Sequence, residues 1–413
     1  MQRNFGISGV LEGIERFVSR KHKASLERKR IQICKTDERD RGKGMRHKME
    51  KLLWTLSITA LFTGTVTITA MAESVAGEAH GNIKGIQMVD MDSSESARTL
   101  GCGHAAWNVR VNDSGDVLNG NQDILRRTKS YGMKNTIKIH NPWHTDEPNL
   151  MPAEEPTGAV FYGYNVRTEE GRSATRRAAA RIARIYGGLA DNWIIGNEVN
   201  EPNSWYYMSS VGNLNDYTAD VATAFRIWYE EIKKVDANAN VYIPFDYRWK
   251  WYTDQGQSYQ AKDMIQILNT QLKDTDYGIA WHPYPEELND PNFLNDPDAK
   301  ETGTAFNSPI INMKNISELT RFFEQSDYLA PSGKVRHIIL SEQGFNCTSE
   351  EEQAHFIQQA YERAAANPHI EAFILSNDMD IPGEMWAGNE MHYGLRTTGR
   401  TRRKAYDLYR SLN

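Results

Sequence analysis

The stretch that decides the fold runs from Trp193 to Glu198 and reads Trp-Ile-Ile-Gly-Asn-Glu. Three bulky apolar residues followed by a glycine and two polar residues are typical of a buried strand that ends at a protein surface. A second run of this kind extends from Ile338 to Glu342 and reads Ile-Ile-Leu-Ser-Glu. We therefore predict two buried strands, each of which displays a glutamate at its carboxyl end.

Similar short apolar runs recur along the chain and alternate with helical patterns. The predicted strands are 105–111, 135–140, 159–165, 193–196, 241–245, 278–281, 337–340 and 370–375. The predicted helices are 122–131, 173–186, 217–235, 262–272, 316–325, 350–366 and 402–412. This alternation predicts an α/β fold with one (β/α)8 barrel, also called a TIM barrel, whose active site lies at the carboxyl ends of the strands. A doubly wound sheet is the alternative, but no glycine-rich phosphate loop follows the first strand.

The distribution of charge argues against a nucleic-acid partner. Residues 1–72 hold 15 of the 48 lysines and arginines but 7 of the 54 acidic residues, so residues 73–413 carry a net charge of −14. A protein that binds nucleic acid needs a basic face to displace counterions from phosphates. The three cysteines are too few for a disulfide framework, and we expect Cys102 and Cys347 to stay unpaired.

The segment 45–72 has the organisation of a secretory signal peptide. Lys48 and Lys51 precede an uncharged run, which ends in Ala-Met-Ala before Glu73. Basic flank, apolar core and small-residue cleavage site occur in that order in export signals. We predict a secreted protein that keeps no stable membrane span after processing, or a cell-surface protein if the signal is not cleaved.

The remaining chain divides into three parts. Residues 1–44 form an N-terminal extension to which we assign no function. Residues 73–103 are predicted to be an N-terminal arm, and residues 104–413 the single catalytic domain. No internal repeat or Pro/Ser-rich linker interrupts that domain.

Glu198 and Glu342 follow the fourth and the seventh predicted strands. Each glutamate alone is more often a satisfied structural group than a functional one. Together they can point at one bond from opposite sides of a barrel mouth. A pair of carboxyl groups is what glycoside hydrolysis requires, with one as the acid and the other as the nucleophile, and a separation of about 5 to 5.5 Å gives retention of configuration.

These residues resemble those of the retaining glycoside hydrolases of clan A. The run from Trp193 to Glu198, together with Glu342, is similar to the acid/base and nucleophile elements of that clan, and His282-Pro-Tyr284 is similar to its His-x-Tyr element. Tyr393-Gly-Leu and the later Arg-Lys-Ala-Tyr406 resemble a common clan ending. The resemblance covers about residues 105–413 and is closest to poorly characterised members, so it implies mechanism rather than substrate.

The resemblance implies a role for several residues. Glu198 would be the general acid/base, Glu342 the nucleophile and Asn197 the ligand of the sugar 2-hydroxyl. Tyr284 would donate a hydrogen bond to Glu342. Glu201 competes with Glu198, because Asn-Glu-Pro at 200–202 mimics another clan signature, but it lies farther beyond the strand.

The other candidates contact substrate rather than react. The clan has an arginine on its second strand, for which Lys138 or His140 could substitute. We place His140, His282, Tyr284, Trp205 and Trp386 among the substrate-binding residues. Further aromatic residues beyond strand ends could stack on sugar rings, namely Trp143, Tyr206, Trp249, Trp251 and Tyr252. The expected partner is a carbohydrate, with no cofactor and no metal, and the sequence leaves the oligomeric state open.

Two other functional classes are compatible with parts of this sequence. A metal-dependent barrel hydrolase could draw on His140, His144, Asp246, His282 and Asp378, but the first predicted strand lacks a His-x-His pair. A non-catalytic carbohydrate-binding barrel would keep the aromatic residues and lose one of the two carboxylates, and this chain keeps both.

Overall fold

The computed structural model describes residues 81–251, 258–386 and 388–413. Eight parallel strands close into a barrel in chain order, and β8 pairs with β1. The strands are β1 (Lys84–Gln87), β2 (His104–Arg110), β3 (Lys134–His140), β4 (Asn192–Ile195), β5 (Asn240–Asp246), β6 (Tyr277–His282), β7 (Ile338–Gln343) and β8 (Ile370–Leu375). The predicted (β/α)8 barrel is thus confirmed.

Helices lie between the strands and cover the barrel. They are α1 (Ser93–Thr99), α2 (Gly115–Ser130), α3 (Glu169–Tyr186), α4 (Leu214–Val235), α5 (Ala261–Gln271), α6 (Ser317–Phe323), α7 (Glu350–Ala365) and α8 (Lys404–Ser411). After β8, a two-stranded hairpin forms from β9 (Met385–Trp386) and β10 (Asn389–Glu390). The long helix α3 begins at a capping residue, since Thr168 Oγ1 accepts a hydrogen bond from the Gly171 amide at 3.0 Å.

Two of the strand predictions are wrong. One barrel strand was not predicted and one predicted strand is a loop, so the predicted number of strands is still eight. The first barrel strand is β1, within the segment predicted to be an N-terminal arm. β1 has only four residues, and they follow no alternating pattern that would reveal a strand. Residues 159–165 are a loop instead of a strand, although they are rich in aromatic residues. Their backbone bonds to other loops, as where the Tyr162 amide donates to the Asn141 carbonyl at 2.8 Å.

The barrel interior contains its own small core. It consists of Ala106, Ile194, Tyr242, Ala280, Ile339, Ala372 and Ile374, all fully buried. The side chains next to them in sequence pack outward against the helices, as Ala105 and Ile195 do. Since side chains alternate along a strand, positions two and four residues beyond an interior residue face the barrel mouth. β7 departs from this rule, because its register with β8 shifts between Leu340 and Gln343, the stretch that contains Glu342. This alternation brings residues from most of the strands to a common site.

Some of the predicted segments and residues lie outside the part of the chain that the structure describes. The N-terminal extension and the signal peptide lie outside the described residues, and so does Tyr252. Among the helices that are described, none is both long enough and apolar enough to cross a membrane. Cys102 and Cys347 are free thiols.

Candidate active site

The end of β4 turns sharply so that Glu198 enters the barrel mouth. Gly196 has φ +92°, and a Cβ atom there would collide with the ring of Tyr206. Glu198 itself has φ +34°, a left-handed conformation that is uncommon for a residue other than glycine. Between them, Asn197 is 7% exposed, and its side chain makes no hydrogen bond within the described part of the chain. The turn therefore presents one carboxyl group and one available amide.

Glu198 lies in an environment that favours its neutral form. Its side chain is 12% exposed, and Oε1 lies 2.9 Å from Nδ1 of His282 at the end of β6. Burial raises the pKa of Glu198 well above its usual range, and the negative charges of Asp246 and Glu342 raise it further. Glu198 therefore keeps its proton to a higher pH than an ordinary glutamate does.

Glu342 lies in the opposite environment. Lys138 Nζ, on β3, donates to Oε2 at 2.9 Å, and the Tyr284 hydroxyl donates to Oε1 at 2.9 Å. Burial alone would raise the pKa of Glu342, but the charge of Lys138, the field of His282 and these two hydrogen bonds lower it to about 2. The Lys138 side chain is only 3% exposed, so water does little to weaken this ion pair. Glu342 is therefore ionised over most of the pH range.

Glu201, the competing glutamate, is held away from the centre by an ion pair. Its Oε1 lies 2.9 Å from Arg248 Nη1, and the same guanidinium pairs with Asp246. Asp246 also accepts hydrogen bonds from the Asn200 side chain and from the Arg248 amide. The geometry thus distinguishes Glu198, which faces His282, from Glu201, which faces a cation.

The two histidines at the mouth are neutral near pH 7. Burial lowers the pKa of His282 to about 4 and that of His140 to about 3.

His140, at the end of β3, stacks on Phe161 with ring centroids 4.2 Å apart. Phe161 in turn lies 6.0 Å from Trp205, and both of these rings are partly exposed. His140, Phe161 and Trp205 form one aromatic wall, which could pack against an apolar sugar face.

Two of the other aromatic residues predicted to bind sugar are packed in the protein core instead. Trp249 is fully buried against Trp281 and Phe322, and Tyr206 is buried beneath the β4 turn. The side chain of Trp386 lies outside the part of the protein that the structure describes.

Three residues at the mouth were not among the predicted site residues. Asn108 and Arg110 are exposed and have the same strand parity as the interior residue Ala106, so they face the mouth from β2. The parity of β2 is the signal that could have identified them. Glu384 precedes β9, and its carboxyl group makes no hydrogen bond to any described residue. Burial, with the charges of Glu342 and Asp380, raises the pKa of Glu384 to about 7.

The five residues considered as metal ligands do not form a metal centre. Asp378 pairs with Arg396, Asp246 pairs with Arg248, and His144 Nε2 bonds to Asn141 at 3.2 Å. Within residues 81–251, 258–386 and 388–413, no cluster of three or more His, Cys, Asp or Glu side chains could hold a metal ion.

Comparison with solved structures shows which proteins share this fold. A family 39 glycoside hydrolase from Bacteroides cellulosilyticus WH2 is similar at 16% identity with a TM-score of 0.56, over 81% of this chain and 64% of its own. A GH5_18 protein from Bifidobacterium longum, in complex with Manβ1-4GlcNAc, is similar at 11% identity with a TM-score of 0.54, over 80% of this chain and 77% of its own. A β-glucuronidase of Bacteroides uniformis has a TM-score of 0.51 at 11% identity, over 80% of this chain but 35% of its own.

The chain therefore shares its (β/α)8 barrel fold with these glycoside hydrolases, and this is the fold that the resemblance to clan A implies. The chain belongs to a family of unknown function, DUF5722, whose family model matches residues 114–413. No curated protein matches the sequence.

Proposed function

We propose that this protein is a retaining glycoside hydrolase, with Glu198 as the general acid/base and Glu342 as the nucleophile. One observation carries the proposal: of two carboxyl groups in one barrel mouth, Glu198 is buried beside His282 and Glu342 pairs with Lys138, so their pKa values are pushed in opposite directions. A pair of titratable groups whose pKa values are pushed apart in this way identifies an acid and a base.

The mechanism has two displacements. In the first, a Glu342 oxygen attacks the anomeric carbon while the bond to the leaving oxygen breaks and the Glu198 proton passes to that oxygen. In the second, the Glu198 carboxylate takes a proton from water, whose oxygen attacks the same carbon and releases Glu342. The first step leaves Glu198 ionised, and its pKa then falls because Glu342 has lost its charge in the ester.

The neighbours of Glu342 prepare it for this role. Lys138 and Tyr284 each donate to a different carboxylate oxygen, which fixes the orientation of the group. Lys138 makes this contact from β3 and not from the second strand, where the clan carries its arginine; the second strand of this barrel ends at Arg110. His282, neutral and 2.9 Å from Glu198, positions the acid.

Substrate binding is assigned to the polar and aromatic groups around the two glutamates. Asn197 offers its available amide to the sugar 2-hydroxyl, a contact that strengthens in the transition state. His140 and Trp205 supply the aromatic wall, and Trp386 remains a candidate for the same role. The substrate is thus a poly- or oligosaccharide, or a glycoside derived from one.

Hydrolysis of aryl glycosides tests the proposed function. We expect the purified protein to release 4-nitrophenol from at least one member of a panel that varies in sugar and anomeric configuration. Proton NMR of the first sugar released should show the anomeric configuration of the substrate, because direct attack by Glu342 and then by water inverts it twice. An inverted product seen before mutarotation would refute the retaining mechanism.

Removal of the Lys138 charge should shift the acid limb of the pH profile. In Lys138→Met, the pKa of Glu342 should rise by about 1 to 3 units, since an opposite charge at this distance lowers a carboxyl pKa by that amount. The kcat/KM of the variant should therefore decline as the pH falls through a range in which the wild-type enzyme stays active. Lys138→Arg, which keeps the charge, is the matched control. An unchanged acid limb in Lys138→Met would contradict the role of Lys138.

The protein is exported, on this proposal, because a barrel that hydrolyses polysaccharides works where its substrates are. The support is the order of basic, apolar and small residues in 45–72. Intact-mass measurement of exported protein should give a chain that begins at Glu73. A chain that begins well before that residue would contradict cleavage there.

A further inference from the structure

A second cavity lies beside the active site, in the long loop that follows β3. It has a volume of about 430 Å3, and its lining includes Trp143, His144, Pro148, Met151, Glu154 and Asn165. Volumes of this size are typical of small-ligand sites. None of these residues contributes to the mechanism proposed for Glu198 and Glu342.

The loop around this cavity is held in a defined conformation. Asn141 Nδ2 donates to the Gly163 carbonyl at 2.8 Å, and the Asn165 amide donates to the Leu150 carbonyl at 2.9 Å. The Tyr162 hydroxyl accepts a hydrogen bond from the Thr157 amide at 2.8 Å. The cavity is therefore built into the fold on the same barrel face as the catalytic mouth.

The lining has the chemistry of a site for a neutral sugar. Trp143 is partly exposed and packs against Tyr162 with ring centroids 5.7 Å apart, so one aromatic ring is fixed at the cavity wall. His144 is 8% exposed and bonds through Nε2 to Asn141, while its Nδ1 atom has no partner among the described residues. Lysine and arginine are absent from the residues that line the cavity, so the lining offers no cation to an anionic ligand.

A short segment links the aromatic wall of the active site to a residue of the cavity lining. Trp143 follows His140 by three residues, and its neighbour Tyr162 adjoins Phe161, which stacks on His140. Phe161 and Tyr162 are adjacent and contact different rings, so this short segment connects the wall to the cavity. A carbohydrate chain bound at Glu342 can extend over this segment.

The geometry points to a remote subsite at which Trp143 binds a further neutral sugar unit of the same carbohydrate chain. This inference rests on the proposed function, and it specifies a substrate longer than a single glycoside. Binding energy from such a distant unit improves positioning at the reacting bond.

The dependence of activity on chain length tests the subsite. Once the aryl-glycoside panel has identified the sugar, kcat/KM is measured on its 4-nitrophenyl monosaccharide glycoside and on its oligosaccharides from disaccharide to hexasaccharide. The wild-type enzyme should prefer the longer substrates. In Trp143→Ala, the ratio of long-chain to short-chain kcat/KM should fall about tenfold, the effect of removing about 50 Å2 of apolar contact.

Two further variants separate binding from folding. Thr145→Trp adds a bulky ring at an exposed position on the cavity lining, removes no packed side chain and should lower the same ratio. Tyr131→Ala removes an exposed aromatic side chain at the end of α2, next to the amino end of β3, and should leave the ratio unchanged. Absence of a chain-length preference in the wild type, or an unchanged ratio in Trp143→Ala and Thr145→Trp, would overturn the subsite. Failure to cleave any aryl glycoside would refute the proposed function instead.

Discussion

Replacement of Glu342 by alanine should abolish turnover. The variant loses the group that attacks the anomeric carbon, and with it about 4 kcal/mol or more of barrier lowering, a factor of about a thousand. Steady-state kinetics on the best aryl glycoside measures the loss. Near-wild-type activity in Glu342→Ala would refute the assignment of the nucleophile.

Two controls show that such a loss reports chemistry and not unfolding. Glu342→Gln keeps the size of the side chain and should be as inactive as Glu342→Ala, because an amide is a poor nucleophile. Glu231→Gln removes a carboxylate that pairs with Arg176 and Lys234 on the outer helices and should keep full activity. Thermal unfolding of all three variants is followed by circular dichroism, since the loss of Glu342 leaves the buried Lys138 without its ion-pair partner.

Replacement of Glu198 by alanine should have an effect that depends on the leaving group. A substrate with a good leaving group, such as 2,4-dinitrophenolate, needs no proton at the departing oxygen, so its bond to the sugar still breaks. A substrate with a poor leaving group needs the acid and should lose about a hundredfold to ten-thousandfold in rate. The measurement is kcat/KM for a series of aryl glycosides whose phenols differ in pKa.

Azide provides the second half of this test. In Glu198→Ala, azide should capture the glycosyl-enzyme from the face that the acid/base served, restore turnover and yield a glycosyl azide of retained configuration. Azide should not restore Glu342→Ala by this route, because that variant forms no glycosyl-enzyme.

Glu201→Gln tests the competing assignment of the acid/base to Glu201. If Glu201→Gln, and not Glu198→Ala, showed the leaving-group dependence and the rescue, the acid/base would be Glu201.

Local sequence patterns predicted most of the fold and the two carboxyl groups proposed to react. A run of apolar β-forming residues that ends in polar residues defines both a buried strand and its exposed carboxyl end, so Glu198 and Glu342 were identified from β4 and β7 alone. The Tyr284 contact with Glu342 was also expected, and the structure places its hydroxyl 2.9 Å from the carboxylate. The alternation with helices correctly predicted the order of the strands from β4 onward.

The tertiary structure decided what no local pattern contains. β1 is too short to be recognised without the neighbours that pair with it, and the aromatic residues at 159–165 form a loop because they pack against other loops. Lys138 lies 204 residues from Glu342, and only the closure of the barrel brings the two together. The pKa values depend on desolvation and on such distant charges, so which glutamate keeps its proton follows from packing, whereas the presence of two glutamates at strand ends follows from the sequence.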